Sequence, residues 1–331
     1  MALKIGTSYF GNRIPRHVAE DMKQLRREGF NLVCHTFNEN DHLFYRRTMK
    51  EIVHISKDLG FEVHMDPWGV GKVFGGESFS NFVATNMHAL QILSDDKPAG
   101  NACPMHPDFR AFMIDWIDAA LECGADVLFW DEPHFSLSSW LGGRPGQWGC
   151  RCPVCQEHFR ERFGHDMPYE RTPEVVAYLE WAIRDFLGFV IKATADRGAD
   201  NNLCLLPHEE GEEGATAGWD EFAALEGLTV FGTDPYFQLF KKDMNYLEKF
   251  SKKALDSAEA HNRECQIWFQ GFKIPDGQEE RQAEAIQRCY DLGVRNFAVW
   301  GFEACAHISW IRPDNPEKLW KLFVDTFKGL E

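Results

Sequence analysis

Residues 119–133 read AALECGADVLFWDEP, and this stretch contains the pattern that decides the fold. It begins in an amphipathic helix that ends at Gly124, because glycine most readily takes the left-handed conformation that closes a helix. The run 126–130 is then apolar, without the alternation of a half-exposed strand. The pattern predicts a buried parallel strand that ends in the acidic pair Asp131 and Glu132.

The same unit of helix, glycine and apolar strand recurs along the chain. Gly29, Gly60 and Gly293 each separate a helical pattern from an apolar run. Helical patterns fall between the strands, and one of them covers residues 81–93. Counted as strand-helix pairs, eight units predict an α/β fold, a single (β/α)₈ TIM barrel over residues 1–331. The eight predicted strands are 3–7, 31–35, 61–66, 126–130, 202–207, 229–233, 266–270 and 296–300.

A doubly wound open sheet is the alternative arrangement for alternating strands and helices. Nucleotide-binding sheets of that type place a glycine-rich turn between the first strand and its helix. Here the glycines at 69–71 and 75–76 follow the third strand and precede no clear helix start. The pattern therefore favours the barrel, with these glycines in a loop.

Composition excludes several classes of partner. The net charge is -16 and no basic run occurs, so neither nucleic acid nor an anionic membrane is an expected partner. No apolar stretch reaches membrane-spanning length, and the N-terminus lacks the pattern of a signal peptide. We expect a soluble cytoplasmic protein, and a homo-oligomer remains compatible with the sequence.

Closely spaced cysteines predict a metal site. The run CRCPVC at 150–155 is preceded by one further cysteine in the motif ACPMHP at 102–107. In a reducing compartment, clustered cysteines are more often metal ligands than disulfides, and four thiolates suit tetrahedral zinc. The irregular stretch 135–149 is too long to be ordered without a cross-link, so we predict a zinc-binding insertion at 135–165 after the fourth strand. The predicted ligands of this structural zinc are Cys103, Cys150, Cys152 and Cys155, and no organic cofactor is expected.

Polar and aromatic residues collect where the predicted strands end. Active sites of (β/α)₈ barrels lie at this rim. One acidic residue after a strand is explained as a helix cap, but acidic residues at several strand ends are not. The candidates are Asp66 and Trp68 at the third strand, Trp130, Asp131, Glu132 and His134 at the fourth, His208 at the fifth, Asp234 and Tyr236 at the sixth, Gln270 at the seventh, and Trp300 and Glu303 at the eighth.

Paired carboxylates beside tryptophans are typical of carbohydrate chemistry. Glycoside hydrolysis uses one carboxyl group as general acid and a second group as nucleophile or base. Aromatic rings offer apolar faces to sugars. Core packing is the alternative for the strand-end tryptophans. We predict a glycosidase of carbohydrate metabolism, with Asp66, Trp68, Trp130, His134, His208, Tyr236, Gln270 and Trp300 lining the sugar site.

The four cysteines and the helical pattern at 158–164 resemble the zinc cluster of the family 42 β-galactosidases. Those enzymes are (β/α)₈ barrels with an acid/base glutamate at the end of strand four. The resemblance implies that Glu132 is the proton donor. This sequence departs from the family at two positions. Asp131 stands where the family has asparagine, and Gln270 stands at the position of the family's nucleophilic glutamate.

Glutamine cannot form a glycosyl ester, so the second catalytic group must come from elsewhere. One possibility is Asp234 or Glu303, which come from the strands that flank the seventh. Another is the substrate itself, because the pair Asp131 and Glu132 resembles the acidic pair of the substrate-assisted hexosaminidases of families 20 and 123. There the aspartate holds the 2-acetamido group of the substrate and the glutamate is the acid.

Two other classes of function remain compatible with the sequence. Glu132, His208, Asp234 and Glu303 could bind a divalent metal, as in barrels that resemble xylose isomerase and act as sugar isomerases or epimerases. The order of His208 and Asp234 along the chain is the reverse of the order expected there. A barrel that binds sugar without cleaving it is the third class, which Gln270 makes plausible.

Overall fold

The computed structural model describes residues 3–137, 146–209, 212 and 218–330. Its strands are β1 (Lys4–Tyr9), β2 (Leu32–Thr36), β3 (Glu62–Asp66), β4 (Leu90–Ile92), β5 (Pro98–Ala102), β6 (Val127–Asp131), β7 (Asp200–Leu205), β8 (Val230–Thr233), β9 (Glu264–Gln270) and β10 (Asn296–Trp300). Its α-helices are α1 (Pro15–Glu28), α2 (Arg46–Asp58), α3 (Asn81–Thr85), α4 (Pro107–Cys123), α5 (Pro153–Phe163), α6 (Pro173–Ala195), α7 (Trp219–Ala223), α8 (Met244–Ala260), α9 (Glu280–Leu292) and α10 (Pro316–Lys328).

Eight parallel strands close into a barrel in the order β1-β10-β9-β8-β7-β6-β3-β2. This confirms the predicted (β/α)₈ fold, and each predicted strand boundary lies within two residues of the observed one. The register pairs Thr36 with Asp66 and Asp131 with Cys204, so the carboxyl ends of these strands meet at one rim. Side chains that follow different strands are thereby brought together.

The helices form because their apolar residues recur at helical spacing and face the barrel. In α1, Val18, Met22 and Leu25 fall on one face and are fully buried. Burial of such a side chain stabilises the fold by about 1.5–3 kcal/mol. Gly29 ends this helix with a φ of 99°, and Gly124 ends α4 with a φ of 101°, as the repeated helix-glycine-strand unit predicts.

A hairpin replaces the helix that the sequence pattern predicts over 81–93. The helix α3 ends at Thr85, and β4 and β5 form an antiparallel pair with Leu90 opposite Ala102. The backbone N–H of Cys103 then donates to the carbonyl of Ala89 at 2.8 Å. The prediction was wrong because Leu90-Gln91-Ile92 finds a strand partner, and the hairpin fixes the position of Cys103. No helix in the described ranges combines the length and apolar character needed to cross a bilayer.

The lower half of the barrel interior, towards the amino ends of the strands, holds a paired polar network. Asn202 Nδ2 donates to Gln266 Oε1 at 2.6 Å, and Gln266 Nε2 donates to Asn296 Oδ1 at 2.9 Å. Below them, the Lys4 ammonium lies 2.8 Å from a carboxylate oxygen of Glu62 and 2.8 Å from one of Glu264. Each of these two carboxylates therefore has a cationic partner.

Candidate active site at the carboxyl ends of the strands

Four carboxyl groups from three strands meet at the upper rim of the barrel. Asp66 ends β3 and is fully buried, and Asp234 follows β8 at 2% exposure. Asp131 ends β6, Glu132 comes next, and both are partly exposed. Glu132 and Asp234 lie close enough for each carboxyl group to affect the pKa of the other. The acidic residues that sequence reasoning assigned to the third, fourth and sixth strands thus form one group, which we call the upper carboxyl cluster.

The backbone explains how two consecutive residues both reach this cluster. Successive side chains of a strand face opposite sides, so Glu132 would point away from Asp131 if the strand continued. Instead Glu132 has a φ of 41°, in the left-handed region that non-glycine residues rarely take. Its N–H still donates to the carbonyl of Cys204 at 3.0 Å, which anchors the turn to β7. The local strain therefore turns the Glu132 carboxyl to the same side as that of Asp131.

A glycine loop lies against the two carboxyl groups, and sequence reasoning missed its role. A Cβ atom on Gly75 would lie 2.5 Å from Asp131 Oδ2 and 2.9 Å from Glu132 Oε2, so no other residue fits without displacing them. The Gly75 N–H donates to the carbonyl of Asp131 at 3.0 Å. Gly76 similarly abuts the ring of Trp68. The signal was present as two adjacent glycines a few residues after Asp66.

Burial and mutual repulsion raise the pKa values of all four groups. Burial raises the pKa of Asp66 well above its usual range, and the charges of Asp131, Glu132 and Glu77 raise it further. Burial also raises the pKa of Asp131, with added effects from Glu132 and Glu77. Like charges this close cannot all ionise, so the cluster keeps protons near neutral pH.

Glu132 and Asp234 differ in the size of this effect. Burial raises the pKa of Glu132 well above its usual range, and the negative charge of Asp234 beside it adds to the shift. Burial raises the pKa of Asp234 to about 7, although its interaction with Glu132 acts in the opposite direction. Asp234 is therefore the member of the pair that ionises first as the pH rises.

Basic side chains in the described ranges do not pair with the cluster. In the described part of the chain, none of the four carboxyl groups forms an ion pair with lysine or arginine within 4.0 Å. Lys72 lies on the glycine loop, but its ammonium donates to the carbonyls of Gly76 at 2.8 Å and Ser78 at 3.0 Å. Both oxygens of Asp66 and Oδ1 of Asp234 are buried without a hydrogen-bond partner among the described residues.

Aromatic rings surround the upper end of the barrel interior. The ring centroid of Phe10 lies 5.3 Å from that of Trp68 and 5.4 Å from that of Trp300, and Trp268 lies 5.7 Å from Trp300. Trp68 and Trp300 were predicted at the sugar site, whereas Phe10 was missed because nothing in its sequence neighbourhood marks it. These rings give the site apolar faces beside its carboxyl groups.

Trp130 lies elsewhere than predicted. Its ring packs 5.7 Å from Phe74 and 5.9 Å from Trp116, and its Nε1 donates to Asn201 Oδ1 at 2.8 Å. Because Trp130 precedes the inward-facing Asp131 in the strand, its side chain points outward to the helices. Trp130 is thus a core residue rather than a residue that lines the rim.

Histidine and tyrosine side chains also reach the rim. His134 is buried, and its Nδ1 lies 2.5 Å from the backbone carbonyl oxygen of Glu132. Burial lowers the pKa of His134 to about 4, so its imidazole is neutral at neutral pH. The His208 ring is 6.2 Å from that of Phe240, and Tyr236 packs edge-on at 5.2 Å from Phe272.

Gln270 and Glu303 do not join the cluster. The Leu239 N–H donates to Gln270 Oε1 at 2.9 Å, and Gln270 Nε2 donates to the carbonyl of Phe272 at 2.8 Å, so both ends of this amide brace loops. Glu303 is exposed and accepts a hydrogen bond from Gln24 of α1 at 3.2 Å. Of the two carboxylates proposed to assist Glu132, Asp234 lies near enough to affect its pKa, whereas Glu303 is exposed and bonded to Gln24.

The four cysteines of the predicted metal site converge in a buried cluster. The sulfur of Cys103 lies 3.5 Å from that of Cys155 and 3.6 Å from that of Cys152. Four thiolates at about 2.3 Å from a tetrahedral zinc would be about 3.8 Å apart, so the geometry suits the ion. Arg151 fixes this turn through Asp96 and the carbonyl of Met167, each at 3.1 Å. Residues 138–145 of the predicted 135–165 insertion lie outside the described residues.

The described residues do not bring together a set of ligands for a divalent metal at the rim. The quartet of the isomerase hypothesis, Glu132, His208, Asp234 and Glu303, does not bring its ligand atoms together. Besides the cysteines, the described chain brings three such ligands within 4.8 Å of one another only at His88, His106 and Asp108, away from the rim.

No family model matches the chain, and no curated protein matches its sequence. Among solved structures, the fold is similar to that of the endo-1,4-β-mannanase from Rhizomucor miehei, with a TM-score of 0.67 and 9% identity over 99% of this chain and 95% of that chain. The catalytic domain of the β-amylase from Paenibacillus polymyxa gives a TM-score of 0.65 and 7% identity over 91% of this chain and 92% of that chain. A D-allulose 3-epimerase from Methylomonas sp. gives 0.53 and 11% over all of both chains. At these identities the similarity establishes the fold alone.

Proposed function

We propose that the protein is a glycoside hydrolase in which Glu132 donates the proton to the leaving group and Asp234 is the second catalytic carboxyl group. The proximity of these two carboxyl groups, each of which affects the pKa of the other, carries the proposal. Two neighbouring carboxyl groups whose environments push their pKa values apart are the usual arrangement for acid and base roles. The mannanase and the β-amylase among the structural neighbours are consistent with a carbohydrate substrate.

The chemistry follows from the protonation states. Glu132 keeps its proton at neutral pH, so it can protonate the glycosidic oxygen as the bond to C1 breaks. Asp234 ionises first and can attack C1 to form a glycosyl ester. Water, deprotonated by Glu132, then attacks C1, releases the sugar and restores the carboxylate of Asp234. A retaining pair of carboxyl groups lies about 5–5.5 Å apart and an inverting pair about 6.5–9.5 Å apart. The mutual effect of Glu132 and Asp234 on their pKa values favours the shorter separation.

The first prediction concerns these two residues. Glu132→Gln should lose about 10²–10⁴-fold in kcat/KM on an unactivated glycoside and far less on a 4-nitrophenyl glycoside, whose leaving group departs without protonation. Asp234→Asn should lose activity on both substrates and regain it when azide is added, because azide replaces the missing nucleophile. Glu51→Gln, at an exposed position of α2, is the matched control.

A panel of 4-nitrophenyl hexosides in both anomeric forms supplies the substrates. Equal loss by Glu132→Gln on both leaving groups would contradict the role of proton donor. Full activity of Asp234→Asn would remove it as the second group, and absence of cleavage across the panel would overturn the hydrolase itself.

Substrate assistance is the second candidate, and one observation favours it. Asp131 and Glu132 both present a carboxyl oxygen to the space beside Gly75, so Asp131 is positioned to hold a 2-acetamido group while Glu132 acts as acid. This mechanism predicts cleavage of N-acetylhexosaminides only, with Asp131→Asn impaired and Asp234→Asn active. Good activity on a plain hexoside would exclude it.

We also propose that Cys103, Cys150, Cys152 and Cys155 hold one structural zinc, which would join the β4–β5 hairpin to α5. The second prediction follows, since a site closed by four thiolates stabilises the fold without taking part in chemistry. Elemental analysis should give about one zinc per chain. Cys152→Ser should lower the melting temperature while activity per folded molecule is retained, and a protein free of zinc would contradict the proposal.

A further inference from the structure

We propose that the sugar cleaved by this site carries a protonated amine, as 2-amino-2-deoxy hexoses do, and that Asp66 and Asp131 bind its ammonium group. This inference rests on the proposed glycoside hydrolase and names its substrate class.

Two of the four carboxyl groups have no task in the cleavage of a neutral sugar. In the proposed hydrolysis, Glu132 is the acid and Asp234 is the second catalytic group. Asp66 and Asp131 remain beside them: the charge of Glu132 raises the pKa of both, and the charge of Asp131 raises that of Asp234. Extra negative charges help to keep the acid protonated, but they also oppose ionisation of the nucleophile. A positive charge on the substrate would remove that repulsion.

Asp66 provides an independent observation. Its side chain is fully buried, yet neither oxygen has a hydrogen-bond partner among the described residues. A buried polar group left without a partner costs about 1–3 kcal/mol, and more when it is charged. Such a cost is tolerated where a ligand supplies the missing donors. Two free oxygens on one carboxyl group match the several N–H donors of an ammonium.

The protein itself supplies no cation to this cluster in the ranges described. The ammonium of Lys72 is engaged with the backbone of its own loop, and the imidazole of His134 is neutral at neutral pH. Trp68, whose buried Nε1 has no partner in the described chain, adds an aromatic ring near the same rim. Aromatic faces also attract ammonium groups.

An amine fits the arrangement better than a divalent metal ion. A metal needs three or more ligand atoms close to one point, and the four carboxyl groups do not converge in that way within the described residues. An ammonium instead directs three separate hydrogen bonds to oxygens that are further apart. The net charge of -16 adds a long-range attraction for cationic ligands.

Binding to an inactive variant tests the inference separately from hydrolysis. The probes are the methyl glycosides of glucosamine, N-acetylglucosamine and glucose, with the galactose series alongside, titrated calorimetrically into Glu132→Gln. A charged hydrogen bond contributes about 1.5–3 kcal/mol, so the amine should bind about 10–100-fold more tightly than the matching neutral sugar. Raising the salt concentration from 0.1 to about 0.5 M should reduce this preference, because salt screens the attraction.

Variants in the same background locate the effect. Asp66→Asn and Asp131→Asn should each reduce the preference for the amine to within about threefold, whereas Glu51→Gln should leave it unchanged. Circular dichroism and melting temperature confirm that each variant is folded. Equal binding of amine and neutral sugar in both series would overturn the inference, as would a preference that survives loss of both aspartates. A preference for the amine in a protein that cleaves no glycoside would support this inference while overturning the proposed hydrolase.

Discussion

The barrel holds two groups of acidic side chains, one at each end, and they differ in how their charges are compensated. At the lower end, Lys4 lies between Glu62 and Glu264 with contacts of 2.8 Å to each. At the upper end, the described chain gives the carboxyl cluster no lysine or arginine partner. Compensated charges stabilise the fold, and uncompensated charges cost stability unless a ligand or a reaction uses them. The difference supports our proposal that the upper end is the functional one.

The pKa values of the two groups are shifted in opposite directions. Burial opposes ionisation of Glu62, but hydrogen bonds and charges from His64 and Lys4 outweigh it and lower its pKa to about 2. Burial raises the pKa of Asp234 to about 7. Ionised Glu62 therefore contributes stability above its unfolded pKa, near 4.5, which is lost as the pH falls towards 2.

The largest expected effect is the pH dependence of stability at the upper end. An unfolded aspartate loses its proton near pH 4, whereas folded Asp234 keeps it until about pH 7. In that window the folded state binds more protons, so rising pH lowers the free energy of unfolding. The double variant Asp131→Asn and Asp234→Asn should gain about 2 kcal/mol or more over the wild type between pH 4 and 7, measured by urea unfolding. A difference that stays constant with pH would contradict this origin.

Breaking the lower pair should have a smaller effect of the opposite sign. Lys4→Met leaves Glu62 and Glu264 without their shared cation, but the three side chains are 20–30% exposed, so water screens part of the loss. We expect a loss of about 1 kcal/mol at pH 7. The loss should shrink as the pH approaches 2, because protonated Glu62 no longer needs the ammonium. Activity should be retained, since the pair lies at the opposite end of the barrel from the rim.

Much of this architecture follows from sequence pattern. Apolar runs identified all eight barrel strands, and four of these runs follow a glycine that ends a helix, because buried parallel strands and left-handed helix ends leave local signatures. Position after a strand was enough to assign Asp66, Asp131, Glu132 and Asp234 to one rim. The spacing of the four cysteines was enough to predict that they lie together.

The remaining features depend on long-range packing that no local pattern records. The hairpin β4–β5 was expected to be helical, because its pairing partner lies outside the local window. Trp130 and Trp300 both end apolar strands, yet one faces the helices and the other faces Phe10, since the inward or outward direction depends on barrel register. A strained backbone turn brings Glu132 beside Asp131, and only the tertiary structure can stabilise such a turn.

The smallest expected effect sharpens the choice between Asp234 and Glu303. Both residues follow barrel strands, and sequence alone made them equal candidates for the second catalytic group. Glu303 is exposed and bonded to Gln24, which places it apart from the upper carboxyl cluster. Glu303→Gln should therefore change the free energy of unfolding by no more than about 0.5 kcal/mol. Its kcat/KM on the best 4-nitrophenyl glycoside should stay within about twofold of the wild type. Its stability should also keep the pH profile of the wild type, unlike that of the double aspartate variant. A loss of activity in Glu303→Gln that azide restores would instead transfer the nucleophile role from Asp234 to Glu303, and would mean that this loop moves inward when substrate binds.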